Sequence, residues 1–257
     1  VIEAMGGIEP ATAAINAALR RGAVVVTANK AALAANAEDP LWQEAIEGGR
    51  LRYSASVGGA APVLEAIGRT RDRHEIVRID GIINGTTNTV LELVAAGRPF
   101  DEAVRAAQRA GLAEADPSRD LEGLDIADKV AILARVAWGV DIAPAQVRRT
   151  PLTAESLAEA TAAAAATEVV RYVATVERTA TGVSARVAPT AIDPSHPLAR
   201  IRNEWNALIV TTQSHFQARV HLVRGKGAGR WPTAEAVFAD VLDAATGLSR
   251  RTGAAPV

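Results

Sequence analysis

The stretch Ala23-Val24-Val25-Val26-Thr27-Ala28-Asn29-Lys30 decides how this chain is read. Its run at 23–27 is short and β-branched, the pattern of a parallel strand buried on both faces. Ahead of it a helix opens at Pro10 and ends in Arg20-Arg21-Gly22, with proline near its start and glycine at its end. Before that helix, VIEAMGG (1–7) reads as another buried strand running into a glycine turn. Behind the decisive stretch, Asp39-Pro40 starts a helix that Gly48-Gly49 closes, and 51–54 is strand-like again. Strand, helix, strand, helix, strand is the rhythm of a parallel α/β sheet. Lys30 therefore falls beyond the carboxyl end of a parallel strand, where open α/β sheets bind ligands. Most lysines in such places are surface lysines, so Lys30 alone decides nothing.

Further along, 74–83 reads as a strand, and Asn84-Gly85-Thr86-Thr87 turns from it into a helix reaching Ala96. Asp101 is expected to cap a helix ending at Ala110. An acidic loop follows, then a strong helix from Leu124 to Trp138. From Glu168 onward the texture becomes antiparallel, with strands expected at 169–176, 183–187, 207–211 and 216–223. Pro194, His196 and Pro197 occupy a turn-rich connection. A glycine loop, Gly225-Lys226-Gly227-Ala228-Gly229, leads to a last helix expected to open at Pro232-Thr233.

Composition removes several classes of function. A net charge of −1 and an aromatic content of 4% argue against nucleic-acid binding, which draws on basic excess and stacking rings. The absence of cysteine excludes disulfides, thiolate zinc sites and thiol nucleophiles. No run of about 18 uncharged apolar residues suggests a membrane span; the alanine-rich stretch at 161–167 is short and bracketed by Glu159 and Glu168. The first residues lack the charged and apolar regions of a signal peptide. The protein reads as soluble and cytoplasmic, and the chain as beginning inside a strand.

The chemistry concentrates between Glu114 and Lys129, where Glu114, Asp116, Asp120, Glu122 and Asp125 precede Asp128 and Lys129. Asp125 and Lys129 are four apart, so they share one helix face with the acid nearer the N-terminus. Ile132 and Val136 continue that stripe beside Ile126, Val130 and Leu133, while Asp128 and Arg135 are expected to point away. Lys129 thus lies on the inward side, where an unpaired ammonium is costly. The residues alone leave a functional pair and a merely structural one equally open. An EF-hand-like calcium loop is disfavoured, because the acids do not alternate as that loop requires. His74, His196, His215 and His221 show no zinc-ligand spacing, and the last two read as strand residues. Ser56-Val57-Gly58-Gly59-Ala60-Ala61-Pro62 is a small-residue loop suited to presenting backbone groups to a ligand or ion. The 225–229 loop precedes a helix N-terminus and allows close approach of a phosphate or nicotinamide.

In this order, VIEAMGG, VVTANKAALA, SASVGGAAP, GIINGTTNTVL, GLAEADPSRDLEGLDIADKVAILA and GKGAGRWPTAEAV closely resemble the homoserine dehydrogenase family, across 1–237. The resemblance implies interconversion of L-homoserine and L-aspartate 4-semialdehyde with NAD or NADP, on the threonine and methionine pathway. It implies an α/β architecture: the C-terminal part of a Rossmann-like dinucleotide-binding domain over 1–55, then a mixed-sheet substrate-binding and dimerisation domain over 56–224. The glycine loop and helix of 225–257 would return to the first domain. Lys129 falls on the family's catalytic lysine, with Asp125 and Asp120 organising it. Glu114, Asp125, Gly85 and Thr86 fall on substrate-binding positions. Met5, Gly6, Lys30, Gly111 and Gly229 fall on cofactor-contacting ones. Val57, Gly59 and Ala61 match carbonyls that bind a monovalent cation such as sodium, although Ser54 stands where that site commonly has a glutamate. The family's first strand and glycine fingerprint are not in the chain, so this polypeptide alone is expected to bind a dinucleotide weakly. Its regulatory domain is not expected either. The partners implied are an amino-acid substrate and a second copy in a homodimer, with neither nucleic acid nor membrane. The rival reading is a non-catalytic, dehydrogenase-like dimerisation or ligand-binding module.

Overall fold

A computed structural model describes residues 1–213, 217–227 and 229–252. Its N-terminal part holds a parallel sheet of β1 (Ile2–Glu3), β2 (Val25–Thr27) and β3 (Leu51–Arg52), in that order. Ile2 lies opposite Val26, and Val25 opposite Leu51. The connection α1 (Ala11–Arg20) buries Ala11, Ile15, Ala18 and Leu19, the spacing of one helical face. Between β2 and β3 come α2 (Lys30–Ala35), which the sequence reading did not separate out, and α3 (Pro40–Glu47). Asp39 caps α3 by accepting from Leu41 N at 2.8 Å, and Pro40 takes the first helical position, where its missing N–H costs nothing. Trp42 is fully buried, its indole N–H satisfied by Asn16 Oδ1 at 2.7 Å. The strand expected at 51–54 stops at Arg52, because a 3-10 turn begins at Ser54 (Ser54–Ser56). That turn is fastened by Asp240, whose carboxylate accepts from Ser54 N at 2.9 Å and Ser54 Oγ at 2.8 Å.

After α4 (Val63–Arg71) the chain builds a six-stranded mixed sheet from β4 (Glu75–Ile82), β5 (Arg148–Arg149), β6 (Val169–Thr179), β7 (Gly182–Ile192), β8 (Trp205–Gln213) and β9 (Ala218–Lys226). The strand order is β5-β7-β6-β4-β8-β9, and all pairs are antiparallel except β5 with β7. Strands β6, β7 and β8 run longer than expected, since the ladder continues through polar positions that break the apolar pattern. Residue 216, where the last strand was expected to begin, and His215 lie outside the described residues, as does Ala228. Gly225 and Lys226 close β9 rather than belonging to a loop.

The intervening helices are α5 (Gly85–Ala95), α6 (Phe100–Arg109), α7 (Ser118–Leu121), α8 (Leu124–Trp138) and α9 (Ala154–Ala163), followed by α10 (Arg230–Thr252). Asp101 does not cap α6: the helix starts at Phe100, and Asp101 sits in its first turn, where a carboxylate complements the helix dipole. The last helix opens at Arg230, two residues ahead of Pro232, whose lack of an N–H is tolerated in a first turn. Helix α8 touches α2 and α4 on one side and β6 and β7 on the other, which makes it the hinge of the architecture. Asp128 and Arg135 therefore do not face open solvent. Each is mostly covered and paired, Asp128 with Arg119 at 2.9 Å and Arg135 with Asp141 at 2.7 Å. The opposite face of the large sheet is covered in part by the Pro197–Arg200 turn, over a second apolar cluster of Ile82, Val173, Leu198, Ile201, Ala207 and Ile209.

Candidate functional site

The carboxyl end of β2 carries a buried polar network that the sequence reading missed. Glu3 is 3% exposed. It accepts from Thr27 Oγ1 at 2.5 Å and from Met5 N at 2.7 Å. Asn29 donates to Gly7 O at 2.7 Å, and its own Oδ1 accepts from Ala32 N at 3.0 Å, capping α2. The network thereby sets where α2 begins, and with it the side chain of Lys30. The available signal was a carboxylate inside an otherwise apolar strand.

Lys30 and Lys129 converge on one carboxylate. Asp125 Oδ1 lies 3.2 Å from Lys30 Nζ, and Asp125 Oδ2 lies 2.7 Å from Lys129 Nζ. Lys129 is 9% exposed and also donates to Ile83 O at 2.6 Å. Two of the three ammonium donors are thus used, and the third is left for the cleft that Lys129 lines. Burial alone would push the Asp125 carboxyl up. The charges of Lys129 and Lys30, with hydrogen bonds from Lys129 and Asn84, outweigh burial and hold it well below the usual carboxylate range.

Asp120 was expected to hold Lys129 together with Asp125; it does not touch the lysine. Its Oδ1 accepts from Asn84 Nδ2 at 2.7 Å, and the same amide donates to Asp125 Oδ2 at 3.0 Å. The turn that allows this is Gly123, at φ +73° ahead of α8. A Cβ there would lie 2.7 Å from the Tyr172 hydroxyl. Only glycine therefore both adopts the left-handed conformation and fits the space.

A cleft of about 630 Å³ opens over these groups, at the carboxyl edge of the parallel sheet and against the β4–α5 junction. Of the residues singled out from sequence, Lys30, Gly59, Gly85, Thr86, Gly111, Asp120, Asp125, Lys129 and Gly229 line it. Thr86 Oγ1 donates to Leu112 O at 3.0 Å, tying the start of α5 to the 111–115 loop. Gly6 lines an adjoining cleft of about 590 Å³ that shares Lys30 and Asp125 with the first. Met5 is exposed and lines neither. Glu114 also stands apart, exposed on its loop, with its backbone carbonyl taken by Gln108. Val57 and Ala61 are buried beneath the cleft, where Ala61 O accepts from Val63 N at 2.7 Å. Ser56, from the small-residue loop, also lines the cleft, and Glu204, 3.1 Å from Lys226 Nζ, lines it without having been foreseen. Among the described residues no group of three or more His, Asp or Glu side chains could hold a metal, and no helix is long and apolar enough to cross a membrane.

A parallel half-sheet, a mixed sheet and a cleft between them with a buried lysine–carboxylate pair define a two-sheet α/β protein with its site at the carboxyl edge of the strands. The chain belongs to the homoserine dehydrogenase family, whose model matches residues 62–242. The homoserine dehydrogenase of a Synechocystis strain is 36% identical over 253 residues, covering 95% of this chain and 57% of the relative. The crystal structure of the Thiobacillus denitrificans homoserine dehydrogenase superposes with a TM-score of 0.83 at 33% identity, over 95% of this chain and 56% of that one. A hyperthermophilic archaeal homoserine dehydrogenase in complex with NADPH shares the fold, at a TM-score of 0.77 and 24% identity, over 96% of this chain and 72% of that one. The chain spans little more than half the length of the curated relatives it matches.

Proposed function

We propose that this chain carries the catalytic region of a homoserine dehydrogenase, interconverting L-homoserine and L-aspartate 4-semialdehyde with NAD or NADP. One observation carries the reading: a buried ammonium, Lys129, held by Asp125 and Ile83 O with a donor left for the cleft. Reducing an aldehyde builds negative charge on its oxygen, and a fixed ammonium stabilises that charge and supplies the proton. In the reverse direction the neutral amine accepts the hydroxyl proton. Lys30, on the other oxygen of Asp125, keeps that carboxylate ionised. Thr86 and the backbone of Gly85 would position the substrate, and Glu114, on the loop that follows Gly111, would offer a carboxylate to its ammonium.

The cleft suits a dinucleotide's nicotinamide end. It falls within the roughly 300–1,000 Å³ typical of small-molecule sites, and Gly59, Gly111 and Gly229 in its wall let a flat ring approach backbone closely. Lys30, Gly111, Gly229 and the Met5-Gly6 turn would hold the group, and it would supply or receive the hydride. NADPH is the dinucleotide bound by the archaeal relative of the same fold. The carbonyls of Val57, Gly59 and Ala61 are neutral oxygen donors, which suits a weakly held monovalent cation better than a divalent one. Gly58 at φ +91° and Gly59 at φ +58° give that loop its turn.

A homodimer through the large sheet is part of the proposal. Leu222 is opposite Ile209 and Val220 opposite Thr211, so both share the face that bears the second apolar cluster. They are nonetheless 47% and 60% exposed. The proposal places this activity in the cytoplasm.

Replacing Lys129 by alanine tests the reading. In the full-length protein the folded variant is expected to lose about 10²–10⁴ of kcat in both directions. Retention of parental kcat would remove the lysine from the chemistry.

A further inference from the structure

Both members of the Lys129–Asp125 pair are gripped from the junction of β4 and α5. Ile83 O accepts a hydrogen bond from the Lys129 ammonium, and the next residue, Asn84, takes hold of the carboxylate. Asn84 is 5% exposed, and every polar group of its amide is engaged. Nδ2 donates to Asp120 Oδ1 at 2.7 Å and to Asp125 Oδ2 at 3.0 Å. Oδ1 accepts from Thr87 N at 2.9 Å and from Thr87 Oγ1 at 3.1 Å, capping α5.

Two jobs are thus combined in one side chain. The oxygen end is structural, since capping by Asn, Asp or Ser satisfies orphan helix donors equally well. The nitrogen end is electrostatic. It contacts the same carboxylate oxygen as Lys129, and it supplies Asp120 with a donor where, among the described residues, no ion pair exists. A neutral amide can bridge two carboxylates without adding charge, and its two hydrogens weaken their mutual repulsion.

We propose that Asn84 is a positioning residue that bridges Asp120 and Asp125, aims Asp125 Oδ2 at Lys129 and so sets how tightly the Lys129 ammonium keeps its proton. The inference rests on the reading of Lys129 as the proton donor and acceptor of the reaction. Other charged groups around the pair are Lys30 from α2, and Arg119 from α7 with its partner Asp128 from α8. Glu204 sits at the rim of the cleft with Lys226. Arg71 of α4 lies at the far end of α8, bonded to Val136 O. From the large sheet come Arg149 of β5, which donates to Glu122 O at 2.9 Å, and Tyr172 of β6, packed against Gly123, whose phenol burial pushes up to about 12 and so keeps uncharged.

Two variants separate the jobs. Both Asn84→Asp and Asn84→Ser keep a helix-capping oxygen. The first places a third carboxylate beside Asp120 and Asp125, and the second withdraws the amide from both. The full-length protein and each variant are titrated by carbon NMR at the aspartate carboxyls and the Lys129 ε-carbon, and kcat for homoserine oxidation is followed over alkaline pH. In Asn84→Asp the Lys129 titration and the alkaline limb of oxidation are expected to move up together by about one unit, about tenfold in rate on the limb. In Asn84→Ser the Asp120 and Asp125 carboxyls are expected to titrate higher, and the melting temperature to fall at neutral pH in step with that rise. Parental titrations of Lys129 in Asn84→Asp and of both aspartates in Asn84→Ser would overturn the inference and leave Asn84 a helix cap. If the parent fails to oxidise homoserine, the reading of the reaction falls, while the Lys129 and carboxyl titrations still decide the role of Asn84.

Discussion

Replacing Asp125 by asparagine is the sharpest test of the electrostatics at this site. The side chain keeps its shape, but one oxygen becomes an NH₂ group. On the Oδ2 side that group would face two donors, Lys129 Nζ at 2.7 Å and Asn84 Nδ2 at 3.0 Å. On the Oδ1 side it would face Lys30 Nζ at 3.2 Å. The less costly rotamer turns the NH₂ toward Lys30, whose side chain is 33% exposed and can be taken up by water. Either way two ammonium groups lose the carboxylate they share. Removing one partner of a buried pair costs about 3–5 kcal/mol, and the partial exposure of Lys30 argues for the lower end, about 3 kcal/mol. At roughly 2–4 °C per kcal/mol for a chain of this size, the melting temperature should fall by roughly 6–12 °C at neutral pH in calorimetry.

The sign of the pH dependence follows from the depressed Asp125 carboxyl. A carboxyl held below its unfolded value adds stability that is fully present above about pH 3.9 and is lost as pH falls through the folded value. The gap between parent and variant should therefore be intact at mildly acidic pH and shrink only in strong acid. Lys129 in the variant also loses its nearest negative charge while the Lys30 ammonium remains. It should give up its proton more readily, and the alkaline limb of oxidation should move to lower pH. A variant that melts with the parent at neutral pH and keeps its rate profile would refute the argument that this carboxylate holds the two lysines.

Three other outcomes are expected. Homoserine oxidation should climb through alkaline pH while aldehyde reduction prefers neutral pH, because the first needs the neutral amine of Lys129 and the second its ammonium; superimposable, flat profiles of kcat would take the lysine out of proton transfer. Gly123→Ala should destabilise the protein by about 1–3 kcal/mol in denaturant titrations, since a Cβ at φ +73° would meet the Tyr172 hydroxyl at 2.7 Å, and a neutral result would mean that the α7–α8 turn relaxes freely. Light scattering should give twice the chain mass for the full-length protein and a single chain mass for Leu222→Lys; a parental monomer would sink the proposed sheet-face dimer.

Features governed by neighbouring residues were legible in the sequence. The β-branched run at 23–27 announced a buried parallel strand and placed Lys30 beyond its carboxyl end, as the structure has it. The 124–138 helix emerged with both boundaries, and its 3.6-residue period put Lys129 inward and within reach of Asp125. Helical spacing is set by backbone hydrogen bonds over four residues, so a pair four apart needs no knowledge of the rest of the chain. The glycine loops and the family resemblance belong to the same local order of information.

What joins those segments was decided only by tertiary structure. Lys30 reaches Asp125 because α2 lies against α8. Asn84 bridges Asp120 and Asp125 because the β4–α5 junction meets the turn made at Gly123. Ser54 meets Asp240 across 186 residues, because α10 returns to the first sheet. Glu114, which the motif placed in the site, stands outside it, since a loop without periodicity takes its direction from its supports; Thr86 and Gln108 supply those here. Local spacing determines which side chains share a face. Which faces meet depends on how sheets and helices bury their apolar surface together, and that is a property of the whole chain.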